Sequence, residues 1–212
     1  MRSSRNGWSI SHPATRRPCG VPERSTFGRP KSDRPVTIEE DWDKAPALDA
    51  PAILEVLHRH GVRFVVIGGM AAQLQRGGYP TLDIDITPAL DKASLGSLAS
   101  ALTDMDARLR AQGLPPGGMR IRLDARTFAQ VSTVTFATAM GPLDVALRPD
   151  GTDGYADLVR GAIKVEYKGR TAWVAHLRDV IRSKVAAGRP KDVEQLPALR
   201  RRLAEVEKQE AN

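Results

Sequence analysis

The sequence predicts an α+β domain of mixed α/β character: a small sheet flanked by helices, with a helical C-terminal part. Three observations carry that prediction. Short branched apolar runs such as Val62 to Ile67 alternate with stretches of helical spacing such as Leu48, Ile53, Leu54 and Leu57. Gly and Pro punctuate the joins, and the chain beyond His176 shows only helical patterning.

From Met1 to about Lys44 the chain is rich in Ser, Arg, Pro and Gly and has no sustained periodicity. Such a segment buries too little apolar surface to offset its ordering entropy, so residues 1–44 are expected to be a disordered basic tail. The Arg-rich opening superficially resembles an organellar transit peptide; the preferred reading is a flexible tail or a gene start placed too far upstream. Order is expected from Ala45, with a helix through Leu57 stopped by Gly61, a buried strand from Val62 to Ile67, a Gly68-Gly69 break, and a short helix from Met70 to Gln75.

A second strand runs from Leu82 to Thr87 and ends at Pro88, which cannot donate to a ladder. Asp91 suits the N-cap of a helix reaching about Arg110, with Leu95, Leu98 and Leu102 on one side. After a loop from Gly113 to Gly118, strands are expected at Met119–Leu123, Val131–Ala137 and Leu143–Leu147, then a short helix at Tyr155–Arg160. Lys168-Gly169 reads as the turn of a hairpin between Ile163–Tyr167 and Thr171–Ala175. Helices from His176 to Ala187 and from Pro190 to about Lys208 are separated by a Gly188 stop. The expected organisation is thus a tail over 1–44, a core over 45–150 and a C-terminal hairpin with helices over 151–212.

With 212 residues, 41% hydrophobic and 27% charged, the chain has room for one domain with a core plus a tail. No apolar run approaches the roughly 20 residues of a membrane span, and the first thirty residues lack a secretory apolar segment, so a soluble cytoplasmic protein with no membrane partner is expected. Cys19 is the sole cysteine, which excludes an internal disulfide and a cysteine-built zinc site. His58 and His60 stand two apart and would leave a helix on different faces. A net charge of +7 points to a polyanionic partner, although much of the excess lies in the tail.

The chemistry concentrates in Leu82-Asp83-Ile84-Asp85-Ile86. On a strand, Leu82, Ile84 and Ile86 would enter the core while Asp83 and Asp85 share the opposite face. Two adjacent carboxylates repel and raise each other's pKa unless a cation lies between them, and magnesium, with its oxygen ligands and retained waters, suits such a platform. Leu143-Asp144-Val145 repeats the alternation; if that strand lies beside the first, three carboxylates converge as two-metal phosphoryl chemistry requires. A strand with one wet face shows the same alternation. What favours a site is Gly68-Gly69, placed between a buried strand and a helix where backbone N–H groups can receive phosphate. A Walker A loop and a dinucleotide-binding G-x-G-x-x-G are both absent.

Val66-Ile67-Gly68-Gly69, thirteen intervening residues, then Asp83-Ile84-Asp85-Ile86 resembles the hG[GS]…DhDh signature of the DNA polymerase beta-like nucleotidyltransferase superfamily. More narrowly, residues from about Ala52 to Leu203 resemble the AbiEii-type nucleotidyltransferases, many of them toxins of bacterial toxin-antitoxin pairs. Leu143-Asp144-Val145 and the stretch Ser183-Lys184 to Lys191-Asp192, with its R-x-K-D at a helix junction, carry that second likeness. The resemblance implies transfer of a nucleoside monophosphate from an NTP such as ATP to an acceptor, with magnesium or manganese as cofactor. It implies Asp83, Asp85 and Asp144 as metal ligands and catalytic residues, Asp144 also as base, and Gly68 and Gly69 as the triphosphate turn. Lys184 would reach the triphosphate, while Arg189, Lys191, Asp192 and Thr81 would line the nucleotide pocket. Relatives often carry Arg-x-Thr before the Asp-x-Asp strand; here Tyr79 stands in the arginine's place, with Arg76 a nearby substitute.

On the toxin likeness the implied partners are tRNA, with Arg200-Arg201-Arg202 as candidate phosphate contacts, and a cognate antitoxin protein. Two other readings stay open. One is transfer to a protein or a small hydroxylated molecule; the other is a non-catalytic nucleotide-binding partner protein.

Overall fold

The computed structural model describes residues 46–78, 80–115, 117–121, 128 and 131–210. Expectations for the 1–44 tail, Cys19, Tyr79 and the Arg122-Leu123 end of the 119–123 strand fall outside these residues. The described residues belong to one compact unit.

Six helices and seven strands are present among the described residues, in the order α1 (Ala50–Arg59), β1 (Phe64–Ile67), α2 (Gly68–Leu74), β2 (Ile84–Pro88), α3 (Lys92–Asp104), β3 (Arg108–Arg110), β4 (Thr133–Thr138), β5 (Gly141–Ala146), α4 (Tyr155–Gly161), β6 (Ile163–Tyr167), β7 (Arg170–Val174), α5 (Leu177–Ala187) and α6 (Pro190–Glu210). The strands form a single mixed sheet in the order β3-β4-β5-β2-β1-β7-β6. Its centre joins two parallel pairs, β2 with β5 and β1 with β7, through the antiparallel pair β1 and β2. Helices α1 and α3 pack on one another and against β7 and β2, whereas α2 contacts β1, β2 and α5.

The α+β expectation therefore holds, and the local signals explain most boundaries. Asp49 caps α1 by accepting from the Ala52 amide, and Asp91 caps α3 by accepting from Ser94. Lys168 and Gly169 both take positive φ in the two-residue β6–β7 turn, as a type I′ connection demands. Gly188 ends α5 in the left-handed conformation, and Pro190 opens α6.

Four expectations need correction. Leu82 is 85% exposed rather than in the core, because β2 starts only at Ile84 and the strand alternation does not reach back to residue 82. Helix α3 stops at Asp104, and Arg108–Arg110 is a strand; Met105 is fully buried and Asp106 adopts positive φ, which turns the chain out of the helix. Gly68 and Gly69 form the first turn of α2 instead of a break before it. Of the strand expected from Met119, the described residues show only an isolated bridge between Met119 and Leu109.

The apolar faces of the central strands interlock by register. Ile84 lies opposite Leu143, Ile86 lies between Val66 and Val145, and Phe136 faces Leu143; all six are fully buried. Each strand's intervening residues face the other way, and that alternate face carries the polar row described next.

Candidate active site

The site begins where β1 gives way to α2. Gly68 has φ +63° at the first position of a helix, a conformation that costs glycine alone little. Its missing side chain also makes room, since a Cβ there would lie 2.7 Å from Asp85 Cγ and closer still to Oδ2. Gly69 sits against Thr81, with 3.0 Å from an added Cβ to the Thr81 hydroxyl oxygen. The diglycine therefore lets the backbone turn lie directly against the Asp85 carboxylate. Gly68→Ala is expected to displace Asp85 and lower any Asp85-dependent activity about 100-fold, because catalytic groups tolerate little displacement. A melting curve with an activity assay checks this; unchanged activity would show that the close approach is incidental.

Asp85 pairs in register with Ile67 on β1 and with Asp144 on β5. Asp144 faces Thr135 on β4, and Thr135 faces Arg110 on β3. One row thus crosses five strands as Ile67, Asp85, Asp144, Thr135 and Arg110. Burial, followed by the charges of Asp83 and Asp144, pushes the Asp85 carboxyl up to about 7, against the opposing influence of Lys184 and Lys191. Asp144 is also raised, chiefly by burial, with the Thr135 hydroxyl opposing. Asp83 lies just before β2 and accepts a 2.5 Å hydrogen bond from Thr81 Oγ1.

Helices α5 and α6 supply the opposite charge. Lys184 Nζ lies 2.6 Å from Asp192 Oδ1, and Arg189 Nε lies 2.8 Å from Oδ2 of the same carboxylate. Asp192 is buried, which works to raise its pKa, but hydrogen bonds and charge from Lys184 and Arg189 outweigh that and hold it low. A cavity of about 210 Å³ is lined by Gly68, Asp85 and Asp144 on the sheet side and by Lys184, Arg189 and Asp192 on the helix side. It extends to Arg148, Asp150 and Thr152 in the turn after β5.

The candidates are not all in one place. Asp83 and Lys191 do not line the cavity, yet the charge of each acts on both Asp85 and Asp144. Thr81 belongs to the Asp83 side. Arg76 lines a different groove, with Gln75, His176 and Arg202. The Arg202 guanidinium is engaged with the Gln75 carbonyl at 2.9 Å and with Glu205, while Arg200 and Arg201 are exposed.

Several contributors went unnoticed in the sequence. Gln75 donates to the Ala71 and Ala175 carbonyls and accepts from the Leu177 amide, tying the end of α2 to the start of the helix that carries Lys184. Nothing local marks a glutamine for that role, because its partners lie about a hundred residues on. Arg110 and Thr135 were legible in principle, since Arg108-Leu109-Arg110 alternates with a strand's period.

Whether a divalent cation suits this centre can be judged from its oxygens. Asp144 Oδ1 is buried with no hydrogen-bond partner, and the neighbouring Asp85 presents a second hard oxygen donor. Among the described residues no three His, Cys, Asp or Glu side chains are gathered into a ready cage. The donor set fits an ion such as magnesium that takes few protein ligands and fills its shell from water and phosphate. No helix of the described residues is long and apolar enough to cross a membrane.

No family model matches the chain. Over 130 residues, 61% of its length, it is 30% identical to the bifunctional glutamine synthetase adenylyltransferase/adenylyl-removing enzyme of Stenotrophomonas maltophilia (strain R551-3), of which the match spans only 13%. Among solved structures it is similar to the lincosamide antibiotic adenylyltransferase LnuA in its lincomycin-bound form, at 14% identity and a TM-score of 0.49 over 73% of this chain and 98% of that one. It is also similar to an antigenic nucleotidyltransferase-like protein from Paracoccidioides brasiliensis, at 14% identity and a TM-score of 0.41 over 72% and 77% of the two chains.

Proposed function

We propose that this protein is a divalent-cation-dependent nucleotidyltransferase that moves a nucleoside monophosphate from an NTP to an acceptor hydroxyl and releases pyrophosphate. The observation that carries the reading is the pairing of Asp85 with Asp144 on adjacent parallel strands, beside the Gly68 turn and in one cavity with Lys184. Two carboxylates held against burial and mutual repulsion, facing a cationic flank, suit a phosphate substrate that arrives with its metal.

In this reading Asp83, Asp85 and Asp144 would hold magnesium or manganese, which would supply Lewis acidity at the α-phosphate and charge neutralisation at the pyrophosphate. Lys184 and Arg189 bind triphosphate oxygens, and Asp192 holds both cations in place. Lys191 adds its charge, while Thr81 orients the Asp83 carboxylate. The acceptor oxygen bonds to the α-phosphorus as that phosphorus loses its bond to the bridging oxygen. The acceptor's proton passes to the Asp144 carboxylate, and pyrophosphate leaves toward Lys184.

The AbiEii-type likeness around Lys184 to Asp192 supports tRNA as acceptor and a role as the toxin of a toxin-antitoxin pair, neutralised by a cognate antitoxin. A second reading, transfer to a protein side chain, is favoured by the 130-residue similarity to a relative whose name describes adenylylation of glutamine synthetase.

Incubating the protein with each α-labelled NTP, magnesium, total RNA and lysate tests both readings. Label in an RNA band supports the first, label in a protein band the second, and no label in any fraction overturns the nucleotidyltransferase reading. Chelation of the divalent cation is expected to abolish transfer. Lys184→Ala is expected to raise the apparent KM for the NTP about tenfold, as loss of one charge-assisted contact would; an unchanged KM would place the triphosphate elsewhere.

A further inference from the structure

We propose that Gln75 is a positioning residue for nucleotide binding: it sets the angle of α5 against α2, so that Lys184 reaches the triphosphate received at the Gly68 turn. This rests on the nucleotidyl-transfer reading and adds to it a residue that lies outside the cavity.

Two strand-to-helix units stand side by side in the sheet. Strand β1 leads into α2 at Gly68, and its parallel neighbour β7 leads into α5 through Ala175 and His176. The Ala175 amide donates to the Val66 carbonyl at 2.8 Å, and Ala175 lines the cavity together with Ile67 and Gly68. The two junctions therefore share one wall, and the helices that leave them carry two groups suited to phosphate: the diglycine turn on α2 and Lys184 on α5.

Gln75 joins these helices with both ends of its amide. Nε2 donates to the Ala71 carbonyl at 2.8 Å and to the Ala175 carbonyl at 2.9 Å, and Oε1 accepts from the Leu177 amide at 3.1 Å. Leu177 opens α5, so its amide has no partner inside that helix; His176 Nδ1 takes the next one, from Arg178, at 3.2 Å. Gln75 thus caps α5 from another helix. Its own backbone is fixed, because α2 ends in a Schellman turn: Gly77 donates to the Ala72 carbonyl and Arg76 to that of Gln73, with Arg76 in the left-handed conformation such a turn requires. The Gln75 carbonyl in turn accepts from Arg202 Nε of α6 at 2.9 Å.

Leverage gives this tie its importance. Lys184 lies seven residues beyond Leu177 on α5. That is about 10 Å along the helix, so a tilt of about 10° at Leu177 moves the lysine by about 2 Å. Asp192 does not oppose the movement, since it binds Lys184 to α6 and the two helices would swing together. Leu177, Val180 and Leu199 hold the pair to the core by apolar burial, which has no preferred direction. The hydrogen bonds of Gln75 supply the direction, through the side chain to α5 and through the carbonyl to α6, and a shift of about 1–2 Å is enough to spoil a charged contact.

A double-mutant cycle read by titration calorimetry tests the assignment. Each of the four NTPs is titrated with magnesium into wild type, Q75M, K184A and Q75M/K184A. Methionine matches glutamine in length and makes none of its hydrogen bonds. Q75N, which keeps an amide but falls one methylene short, is carried in parallel, and melting curves check that each variant folds. For the NTP that wild type binds, Q75M and Q75N are expected to raise Kd about fivefold, within the about tenfold expected for K184A, whereas Q75M should change Kd less than about twofold once Lys184 is gone. A Kd unchanged by both substitutions in folded protein would overturn the inference. An equal loss in the K184A background would overturn it too, because Gln75 would then support the fold at large, and so would failure of both variants to fold. If wild type binds no NTP, the nucleotidyl-transfer reading fails and this inference with it; if wild type binds and the cycle shows no coupling, only the role of Gln75 fails.

Discussion

Asp85→Asn is expected to reduce nucleotidyl transfer at least about 1,000-fold, the several kcal/mol that a metal-holding carboxylate supplies to a phosphoryl transition state. The same substitution is expected to stabilise the metal-free protein. Burial first, then Asp83 and Asp144, raise the Asp85 carboxyl to about 7 in the folded chain, far above its ordinary 3.8. Between those two values the folded state holds a proton that the unfolded state has released, so stability falls as pH rises from about 4 to about 7. Above that window wild type carries the full cost and the asparagine variant does not. A gain on the order of 3 kcal/mol at pH 8 follows, roughly 5–10 °C in Tm for a domain of this size. If Asp85 holds magnesium as proposed, the gain should shrink when the ion is added, because binding would then stabilise wild type alone. Melting curves with and without magnesium at pH 5 and pH 8 decide the matter; a variant less stable than metal-free wild type at pH 8 would show that Asp85 is a structural residue.

Asp192→Ala has the second large effect and the opposite sign for stability. The carboxylate is 2% exposed and holds Lys184, itself mostly buried, at 2.6 Å. Removing it leaves the ammonium without its nearest counter-charge, at a cost of about 3 kcal/mol. Arg189 adds little to that cost, because its side chain is 61% exposed and can turn to water. The loss should appear at neutral pH and narrow as pH falls: Asp192 has a lowered pKa, so its stabilisation is present above the ordinary carboxylate range and is lost as pH drops through the folded value. Transfer should fall about 100-fold, since Lys184 is no longer aimed across the cavity. A urea titration with NTP kinetics on Asp192→Ala and Asp192→Asn checks this, and loss of stability without any change in kinetics would confine Asp192 to packing.

These two carboxylates behave differently although both are buried aspartates. Asp192 has two cations in hydrogen-bond contact, so it is held ionised and contributes to folding. Asp85 has two carboxylates acting on it and cations only at longer range, so its ionised form opposes folding. A group that destabilises its own protein in the absence of a ligand is a physical signature of a binding centre.

How far the sequence could be read follows from the range of each interaction. Caps, turns and strand alternation act within a few residues. Asp91 at a helix start, Lys168-Gly169 in the hairpin and Gly188 at the end of α5 were therefore legible from their own neighbourhoods, and with them the α+β class. Local pattern failed where a boundary depended on packing. Leu82 continues the apolar alternation of its strand yet lies in water, because β5 pairs with β2 only from Ile84 onward. The end of α3 was misplaced for a similar reason: Arg108–Arg110 becomes a strand by pairing with β4, some twenty-five residues away.

By itself, then, the sequence singled out the candidate side chains: aspartates at 83, 85 and 144, glycines at 68 and 69, and the Lys184 to Asp192 stretch. Only the tertiary structure decided that Asp85 faces Asp144, that Asp192 clamps Lys184, that Arg76 lies in another groove and that Arg110 ends the same row. Strand register and helix docking are set by burial summed over the entire core, and a sum taken over residues so far apart in the chain leaves no mark at any one of them.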